Sequence, residues 1–182
     1  MPKAFAVLGG RPMVEWSLDV LREVCDRVVV AVPPDRVDPP DFVTGGATRS
    51  ESVRAALAAA PEASVVVVHD AARPLVTADL VRRCIDALEG YDGAIAAIPV
   101  TDTVKEVEDG EVIRTPDRGR LWAAQTPQVF RAEALREAGG EGTDDASLVE
   151  AMGGRVRVVE GIPENFKVTT PLDVRIAEML LC

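Results

Sequence analysis

The apolar positions of the chain switch between short β-branched runs and helical spacing. Val65 to Val68 are four consecutive valines, a run typical of a strand that is covered on both faces and therefore of a parallel sheet under helices. From Pro12 to Arg27 apolar residues recur at helical intervals, and residues 28–32 form another β-branched run that two prolines close. This order predicts a helix followed by a strand and a turn.

Predicted helices and strands continue to alternate over much of the remaining sequence. Ser50 is a suitable N-cap for an alanine-rich helix, and Thr77 is one for the helix after the valine strand. The further predicted elements are a strand over 93–99, helices over 132–138 and from Thr143-Asp144 to Gly153-Gly154, a strand over 156–159, and a last helix that Pro171 opens. The alternation predicts right-handed crossovers and an α/β fold with a mostly parallel sheet.

Between Val100 and Trp122 the alternation stops. Residues 104–108 and 111–114 read as two strands around an Asp109-Gly110 hairpin turn. A two-stranded hairpin is only marginally stable by itself, so we expect it to pack on another surface, with a second subunit as the favoured partner. Residues 125–128, which follow, are predicted to be a loop.

The composition is that of one cytoplasmic domain. With 182 residues, of which 47% are apolar, the chain is long enough for one sizeable core. A formal net charge of −10 without a basic cluster disfavours nucleic acid and membrane surfaces as partners. The three cysteines match no zinc spacing and indicate free thiols in a reducing compartment, and no apolar run is long enough to span a membrane.

His69 to Pro74 places an acid and a guanidinium directly after the valine strand. Ligands of open α/β sheets bind beyond the carboxyl ends of the strands, so we expect Asp70 and Arg73 at the rim of a site. Pro74 disfavours a helical conformation at Arg73, which keeps the segment a loop. The alternative is a solvated turn with a surface salt bridge, because charges at strand ends are common without function.

Further polar motifs follow predicted strands or open predicted helices, and each one alone can be a turn, a cap or a solvated charge. In chain order the motifs are Pro2-Lys3-Ala4-Phe5, Gly45-Gly46-Ala47-Thr48-Arg49-Ser50-Glu51-Ser52-Val53, His69 to Pro74, Pro99-Val100-Thr101-Asp102-Thr103-Val104-Lys105, Gln125-Thr126-Pro127-Gln128, Thr143-Asp144-Asp145-Ala146-Ser147 and Lys167-Val168-Thr169. Together they resemble the 2-C-methyl-D-erythritol 4-phosphate cytidylyltransferases of the non-mevalonate isoprenoid pathway. The resemblance runs from Pro2 to the C-terminus.

This resemblance implies a fold and a reaction. The fold is a single domain over residues 1–182, with a mostly parallel, Rossmann-like nucleotidyltransferase sheet and a protruding β-arm at about residues 100–122 that joins a homodimer. The reaction uses CTP and Mg²⁺: a phosphate oxygen of methylerythritol phosphate attacks the α-phosphorus of CTP, and pyrophosphate leaves. No protein nucleophile is needed, so the site must supply cations, a metal ion and backbone donors that hold two polyanions in line.

The family's functional residues carry over by position. Lys3 and Lys167 are the implied catalytic residues; Lys3 contacts the phosphates, and Lys167 also lines the pocket for methylerythritol phosphate. Gly46 and Ser52 are implied in nucleotide binding, where glycine lets the backbone approach the base. Asp70 resembles the acid that orients the alcohol substrate or holds Mg²⁺, which prefers carboxylate ligands.

The remaining implied roles belong to the second substrate. Arg73, Thr103 and Thr126 resemble residues that line its pocket together with Asp70. Arg118, on the arm, is implied to reach the substrate phosphate in the partner subunit, so that each site is composite.

Several of these residues also have ordinary structural explanations. Lys3 can be a frayed terminal charge, and the hydroxyls of Thr103 and Thr126 can satisfy loop backbone. Thr143-Asp144 is equally good as a helix cap and is left out of the site. His69, the only histidine, is interpreted as structural, because the reaction needs no base there.

The sequence departs from the family pattern ahead of Pro2-Lys3. The family has there an apolar strand and a glycine-rich loop that bring backbone N–H groups and an arginine to the triphosphate. Without them a sheet exposes two hydrogen-bonding edges and part of its core. We therefore expect the domain to be N-terminally incomplete, with residues upstream of Met1. The alternatives are a pentitol-phosphate (ribitol 5-phosphate) cytidylyltransferase and a catalytically inactive nucleotide-binding remnant.

Overall fold

The computed structural model of the chain describes residues 3–37, 39–140 and 142–181. The strands are β1 (Val7–Leu8), β2 (Arg11–Pro12), β3 (Val30–Val32), β4 (Phe42–Thr44), β5 (Val65–Val68), β6 (Gly93–Pro99), β7 (Glu106–Glu108), β8 (Glu111–Arg114), β9 (Trp122–Arg131) and β10 (Val156–Glu160). The helices are α1 (Met13–Val24), α2 (Arg49–Ala58), α3 (Ala78–Asp86), α4 (Ala132–Glu137), α5 (Asp145–Ala151) and α6 (Pro171–Leu181). Three short 3₁₀ helices cover Lys3–Phe5, Pro34–Arg36 and Arg118–Arg120.

Four strands form the central sheet, in the order β10-β6-β9-β5. β10 pairs with β6 in parallel, and β9 pairs antiparallel with both of its neighbours. Three of the four strands therefore run in one direction, and the long β9 runs against them. This arrangement confirms the predicted α/β fold with a mostly parallel sheet.

Helices cover the central sheet on both faces. On one face α3 packs against β6 and β9, where Leu80, Cys84 and Val129 are fully buried. On the other face Phe130 and Val149 lie in a cluster to which α2, α4 and α5 contribute. The core is thus built from alternate residues of the same strands, as the strand periodicity requires.

Residues 125–128 lie in the middle of β9, so their predicted loop is wrong. The proline at 127 is a breaker signal in isolated sequence, because proline cannot donate to a ladder. Here the pairing with β6 shifts register between Ile95 and Ala97, where the ladder is interrupted opposite this segment. Ala123 and Ala124 on one side of the proline, and Gln128 on the other, still pair with β6.

The N-cap of α2 is Thr48 rather than the predicted Ser50. The Thr48 hydroxyl accepts a hydrogen bond from the Glu51 backbone, and the Glu51 carboxylate accepts one from the Thr48 N–H at 3.1 Å. This reciprocal capping box satisfies two N–H groups of the first turn. Ser50 lies inside the helix and is buried.

β3 and β4 form a separate parallel pair, which leaves an open slot beside the central sheet. A cavity of about 770 Å³ lies between β3 and β5. Among the described strands, β5 pairs only with β9, and its valines are not covered as the sequence predicts: Val65 is 40% exposed. The N-terminal incompleteness itself stays a prediction.

Residues 106–114 form the predicted hairpin, with β7 and β8 antiparallel around Asp109-Gly110. Both turn residues have positive φ, 50° and 84°, as a tight hairpin turn requires. Every residue of β7 and β8 is exposed. The arm is therefore present, and its role in a homodimer remains a prediction.

Within the described ranges, no helix combines the length and the apolarity that crossing a membrane requires.

Candidate active site

Asp70 lies directly after β5, at the carboxyl end of the strand, as the sequence predicts. Its side chain is 18% exposed. Lys167 Nζ donates to Asp70 Oδ2 at 2.8 Å, and Arg49 Nε donates to the other oxygen, Oδ1, at 3.4 Å. The carboxylate is therefore held between two cations from opposite parts of the chain.

The combined effect of these two cations on the pKa of Asp70 is larger than the opposite effect of burial. Burial raises the pKa of the Asp70 carboxyl, but the hydrogen bond and charge of Lys167, together with Arg49, bring that pKa below its ordinary value. Asp70 is consequently ionised at neutral pH.

Arg49 also reaches a second, deeper carboxylate. Its Nη1 donates to Asp145 Oδ2 at 2.6 Å, and Asp145 is only 1% exposed. Burial raises the pKa of Asp145, and the charge of Arg49 opposes this shift. Arg49 therefore links the buried start of α5 to the carboxylate of Asp70. Sequence reasoning assigned no role to Arg49, although the residue stands in the Gly-Gly motif at the start of α2.

Thr126 and His69 hold the backbone of Asp70 in place through a series of hydrogen bonds. Asp70 N–H donates to Thr126 Oγ1 at 3.0 Å, and Thr126 Oγ1 lies 3.0 Å from His69 Nδ1. His69 Nε2 donates to the Arg73 carbonyl at 3.1 Å. This order makes Nδ1 the acceptor of the threonine proton, which is the neutral tautomer.

Burial keeps His69 neutral in this series of hydrogen bonds. It lowers the pKa of His69 to about 4, although the hydrogen bond to the Arg73 carbonyl acts in the opposite direction. The structure therefore supports the interpretation of His69 as structural. Thr126 is buried, and its hydroxyl accepts from the Asp70 backbone and bonds His69; its predicted contact with substrate stays a prediction.

Arg73 connects two segments through their backbone. Its Nη1 donates to the Asn165 carbonyl at 2.8 Å and its Nη2 to the Ala124 carbonyl at 3.3 Å. Burial lowers the pKa of Arg73, and the charge of Asp70 opposes this. The guanidinium thus ties β9 to the loop that precedes Lys167. It helps to place that lysine beside Asp70.

Gly46 and Ser52 form one compact turn before α2. Gly46 N–H donates to Ser52 Oγ at 3.1 Å, and Ser52 Oγ donates to the Thr48 carbonyl at 3.0 Å. A Cβ at Gly46 would lie 2.1 Å from Glu51 Cβ, so no larger residue fits without displacement of the capping box. Ser52, Arg49 and Asp70 also line one end of the cavity beside β5.

The other predicted site residues stand apart from this cluster. Thr103 is exposed, between β6 and β7. Arg118 is exposed in its 3₁₀ helix and donates to the Thr101 carbonyl at 2.8 Å. Lys3 lies in the first 3₁₀ helix, and its side chain lies outside the described part of the structure. The structure brings together Asp70, Lys167, Thr126 and Arg73, and the Gly46-Ser52 turn adjoins them through Arg49.

Comparison with known proteins identifies the family. The model for "IspD: 2-C-methyl-D-erythritol 4-phosphate cytidylyltransferase" matches residues 1–182. The chain belongs to this family. It is accordingly a cytidylyltransferase, one of the nucleotidyltransferase enzymes.

Individual relatives agree with the family model. The chain is 48% identical to the 2-C-methyl-D-erythritol 4-phosphate cytidylyltransferase of Nocardia farcinica, over 99% of this chain and 86% of that protein. It is 47% identical to the enzyme of the same name from Rhodococcus jostii, over 99% of this chain and 87% of that protein. The crystal structure of the enzyme of that name from Thermus thermophilus superposes on this chain with a TM-score of 0.88 at 41% identity. The superposition covers 98% of this chain and 93% of the Thermus thermophilus chain. These names do not favour a pentitol-phosphate cytidylyltransferase.

Proposed function

We propose that this chain transfers the cytidylyl group of CTP to 2-C-methyl-D-erythritol 4-phosphate and releases pyrophosphate. The observation that carries the proposal is the carboxylate of Asp70 held between Lys167 and Arg49 at the carboxyl end of β5. Two substrates that both carry phosphate need cations at fixed positions, and a carboxylate between the cations fixes where they point.

The reaction needs charge stabilisation rather than a nucleophile on the protein. An oxygen of the substrate phosphate forms a bond to the α-phosphorus of CTP, while the bond from that phosphorus to the pyrophosphate oxygen breaks. Lys167, whose side chain is 47% exposed, is free to turn from Asp70 toward a phosphate oxygen. Lys3, by its place in the sequence motif, serves the same purpose at the triphosphate.

The turn at Gly46 and Ser52 suits the nucleotide. Glu51 fills the place that a Cβ at Gly46 would take, and the base is proposed to approach the other side of this backbone, which carries no side chain. The Ser52 hydroxyl is within the same turn, and Arg49 joins the turn to Asp70. The base and ribose are therefore proposed to lie over the start of α2, with the phosphates toward Asp70.

The methylerythritol phosphate pocket is proposed to include residues from two subunits. Asp70 orients the substrate hydroxyl groups; Thr126 and Arg73 hold Asp70 and the Lys167 loop in place. Thr103 and Arg118 lie outside this cluster in one subunit, at the base of the exposed arm. In a homodimer joined through the arms, Arg118 reaches the substrate phosphate of the partner subunit.

Mg²⁺ is proposed as the cofactor, since nucleotidyltransferases typically work with a divalent metal ion. Asp70 fits this ion: its carboxylate is ionised and partly exposed, and Mg²⁺ usually takes one or two carboxylates together with substrate phosphates. The described residues contain no cluster of three or more acidic, histidine or cysteine ligands, so the remaining positions fall to phosphate oxygens and water. When bound, the ion neutralises phosphate charge.

The cytoplasm is the proposed compartment. Cys25 and Cys84 are free thiols, and Cys84 is fully buried beside Leu80. Free cysteines are typical of reducing compartments. The third cysteine, Cys182, lies outside the described residues.

Pyrophosphate release tests the proposed activity directly. Protein is incubated with CTP, Mg²⁺ and either methylerythritol phosphate or ribitol 5-phosphate. We expect release only with methylerythritol phosphate, and we expect Asp70→Asn to lower kcat by about 10²–10³-fold. Asp79→Asn, an exposed position on α3, is the matched control.

Three results contradict the proposal. Turnover of ribitol 5-phosphate alone assigns the chain to the pentitol-phosphate enzymes. CTP binding without release from either alcohol, both by this chain and by one extended upstream of Met1, assigns it to the inactive nucleotide-binding proteins. Full activity of the Asp70→Asn variant removes Asp70 from the site.

A further inference from the structure

The central sheet has an open edge at β10. This strand is the outermost one in the order β10-β6-β9-β5, and among the described strands it pairs only with β6. The Arg155 carbonyl, directly before the strand, and the Gly161 N–H, directly after it, are both bonded to the β6 segment. Because successive strand residues direct their backbone groups to opposite sides, the outward-facing residues of β10 are Val156, Val158 and Glu160.

Most of the outward backbone groups of β10 are open to a partner. The Glu160 carbonyl accepts from Arg83 Nη1 at 2.8 Å, which closes the carboxyl end of the edge. In the part of the chain that the structure describes, no group bonds the N–H or the C=O of Val156 or Val158. The Val158 side chain is also 45% exposed. An edge with unpaired backbone and exposed apolar surface can pair with another extended segment.

Two guanidinium groups lie beside this edge on one aromatic ring. The Cζ atoms of Arg155 and Arg157 lie 4.7 Å and 5.3 Å from the centre of the Tyr91 ring, and both arginines are exposed. With the described residues, neither guanidinium forms a salt bridge or a side-chain hydrogen bond. The chain has 30 acidic residues and a formal net charge of −10. Two adjacent cations without a carboxylate are therefore free to bind an acidic group from another molecule.

The two faces of β10 offer different chemistry. Val159 packs in the cluster under α3, so by strand alternation Arg155 and Arg157 lie on that face. Val156 packs in the cluster of the opposite face, to which α5 contributes, so Val158 lies there. A segment that runs along the edge would meet positive charge on one face and apolar surface on the other.

From these observations we infer that the edge of β10 is a docking site for an extended segment of a partner protein in which acidic and apolar residues alternate. The acidic side chains pair with the two guanidinium groups on Tyr91, and the apolar side chains cover Val158. The backbone of the segment bonds the outward groups of Val156 and Val158. β10 has five residues, so a segment of about five to seven residues covers it at about 3.3 Å per residue.

A second copy of this chain fits the edge less well than an acidic segment does. If two β10 strands paired antiparallel with Val158 at the centre, the two Arg157 side chains would lie diagonal to each other, within reach of long side chains. A register displaced by two residues places them directly opposite, where like charges are destabilising. The arginines thus oppose pairing between copies and favour a partner of opposite charge.

A seven-residue peptide, Glu-Val-Glu-Val-Glu-Val-Glu, acetylated and amidated, tests the site. Its acidic side chains share one face of an extended strand, whichever way the strand runs. One control peptide has lysine in place of glutamate, and a second has the same composition with its glutamates placed together. A third is the probe N-methylated at its central valine and at the preceding glutamate. Since neighbouring residues direct their N–H groups to opposite sides, one of these methyl groups faces β10 in either direction.

We expect the probe to bind and to slow hydrogen exchange, measured by NMR, at the amides of Val156, Val158 and Glu160. The amides of Arg157 and Val159 face β6, so their exchange should change little. Slowing at alternate residues shows strand pairing, which general attraction between charges does not produce. Each control peptide should bind about tenfold more weakly than the probe.

Two variants of the chain test the charge and the backbone separately. Arg157→Glu should weaken binding of the probe about tenfold and strengthen binding of the lysine peptide. Arg175→Glu, the same change of charge at an exposed position of α6, should bind the probe as the parent chain does. Val158→Pro removes one outward N–H, a change that edge strands tolerate, and should weaken binding while circular dichroism stays unchanged.

The inference is overturned if the probe does not bind at about 1 mM, if the lysine or N-methylated peptide binds equally well, or if exchange slows elsewhere. Unchanged binding by Arg157→Glu also overturns it. Tighter binding of inorganic triphosphate than of the probe would assign the two arginines to a phosphate ligand instead. β10 and β5, which leads into Asp70, are at opposite edges of the sheet, so none of these measurements depends on the proposed transferase activity.

Discussion

Lys167 Nζ lies 2.8 Å from Asp70 Oδ2, although the two residues are 97 positions apart in the sequence. Lys167 reaches this place because Arg73 holds the Asn165 carbonyl, two residues before it, and Val168 N–H donates to the Ala72 carbonyl at 2.7 Å. The loop after Asp70 and the loop around Lys167 are thus bound to each other on both sides of the ion pair. These contacts to the backbone therefore determine where the Lys167–Asp70 ion pair forms.

Removal of the Lys167 ammonium should act on both rate and pH dependence. We expect Lys167→Met to lower kcat by about 10²–10³-fold, because a cation at the reacting phosphates is lost. The pKa of Asp70 should rise toward its ordinary value, so the acidic limb of the kcat/KM profile moves to higher pH. Steady-state kinetics from pH 4 to 8 measure both. Arg175→Met, at an exposed position of α6, should change neither.

Loss of the Arg49 guanidinium should destabilise the fold through Asp145. Arg49→Met leaves a buried carboxylate without its cation, which costs about 3–5 kcal/mol in comparable cases. Replacement of both residues, Arg49→Met with Asp145→Asn, should recover part of the loss. Urea unfolding of the single and double variants gives the coupling. Additive losses would show that the 2.6 Å contact carries no coupling.

The only histidine should give the protein a measurable pH dependence. The folded pKa of His69 is about 4, below its ordinary value of 6.5, so the unfolded chain takes up a proton that the folded chain excludes. The free energy of unfolding should therefore fall as the pH drops from above 6.5 toward 4, by about 1 kcal/mol between pH 7 and pH 5.5. In that window His69→Asn should show a flat profile by urea unfolding.

Gly46→Ala tests the turn before α2. The new Cβ falls 2.1 Å from Glu51 Cβ, so the turn or the capping box must move. We expect a loss of about 1–3 kcal/mol in stability and a rise in KM for CTP with a smaller effect on KM for the second substrate. Gly139→Ala, where no atom lies within 4 Å of the added Cβ, is the control. An unchanged KM for CTP would separate this turn from the nucleotide.

Arg118→Ala tests the composite site. If Arg118 holds the substrate phosphate of the partner subunit, turnover should fall at least tenfold while CTP affinity stays nearly constant. Titration calorimetry with CTP and kinetics with methylerythritol phosphate separate the two effects. Arg114→Ala removes an arm arginine that pairs with Glu106 and should leave both unchanged. An equal loss of CTP affinity in Arg118→Ala contradicts the assignment.

Local chemistry made part of this structure predictable from sequence. Thr77 caps α3 through the Leu80 N–H at 3.2 Å, as predicted, and the Asp109-Gly110 turn has the positive φ values that its residues favour. Asp70 stands at the carboxyl end of the valine strand because chain order and strand direction decide that position. These features depend on neighbours within a few residues.

Features that depend on distant partners could not be predicted in the same way. The sequence of residues 125–128 is typical of a loop, and only the pairing with β6 makes the segment a strand. Arg49 has the sequence context of an ordinary charged residue in a first helical turn, and only the structure shows its contact with Asp145. Ser50 and Thr48 are both acceptable caps by type, and Glu51 decides between them through the reciprocal bond. The role of Thr126 likewise becomes clear only from His69 and the Asp70 backbone.

β9 has a mechanical consequence, because it is continuous from the exposed arm to the centre of the sheet. Trp122, 43% exposed, follows the arm's 3₁₀ helix after one residue, and Thr126, four positions later, is buried beneath Asp70. Four strand residues span about 13 Å, and a strand resists stretching. If the arms join a homodimer as proposed, the partner subunit fixes the outer end of this segment, and a change in how the arm packs is expected to shift Thr126 and the Asp70 backbone that bonds it.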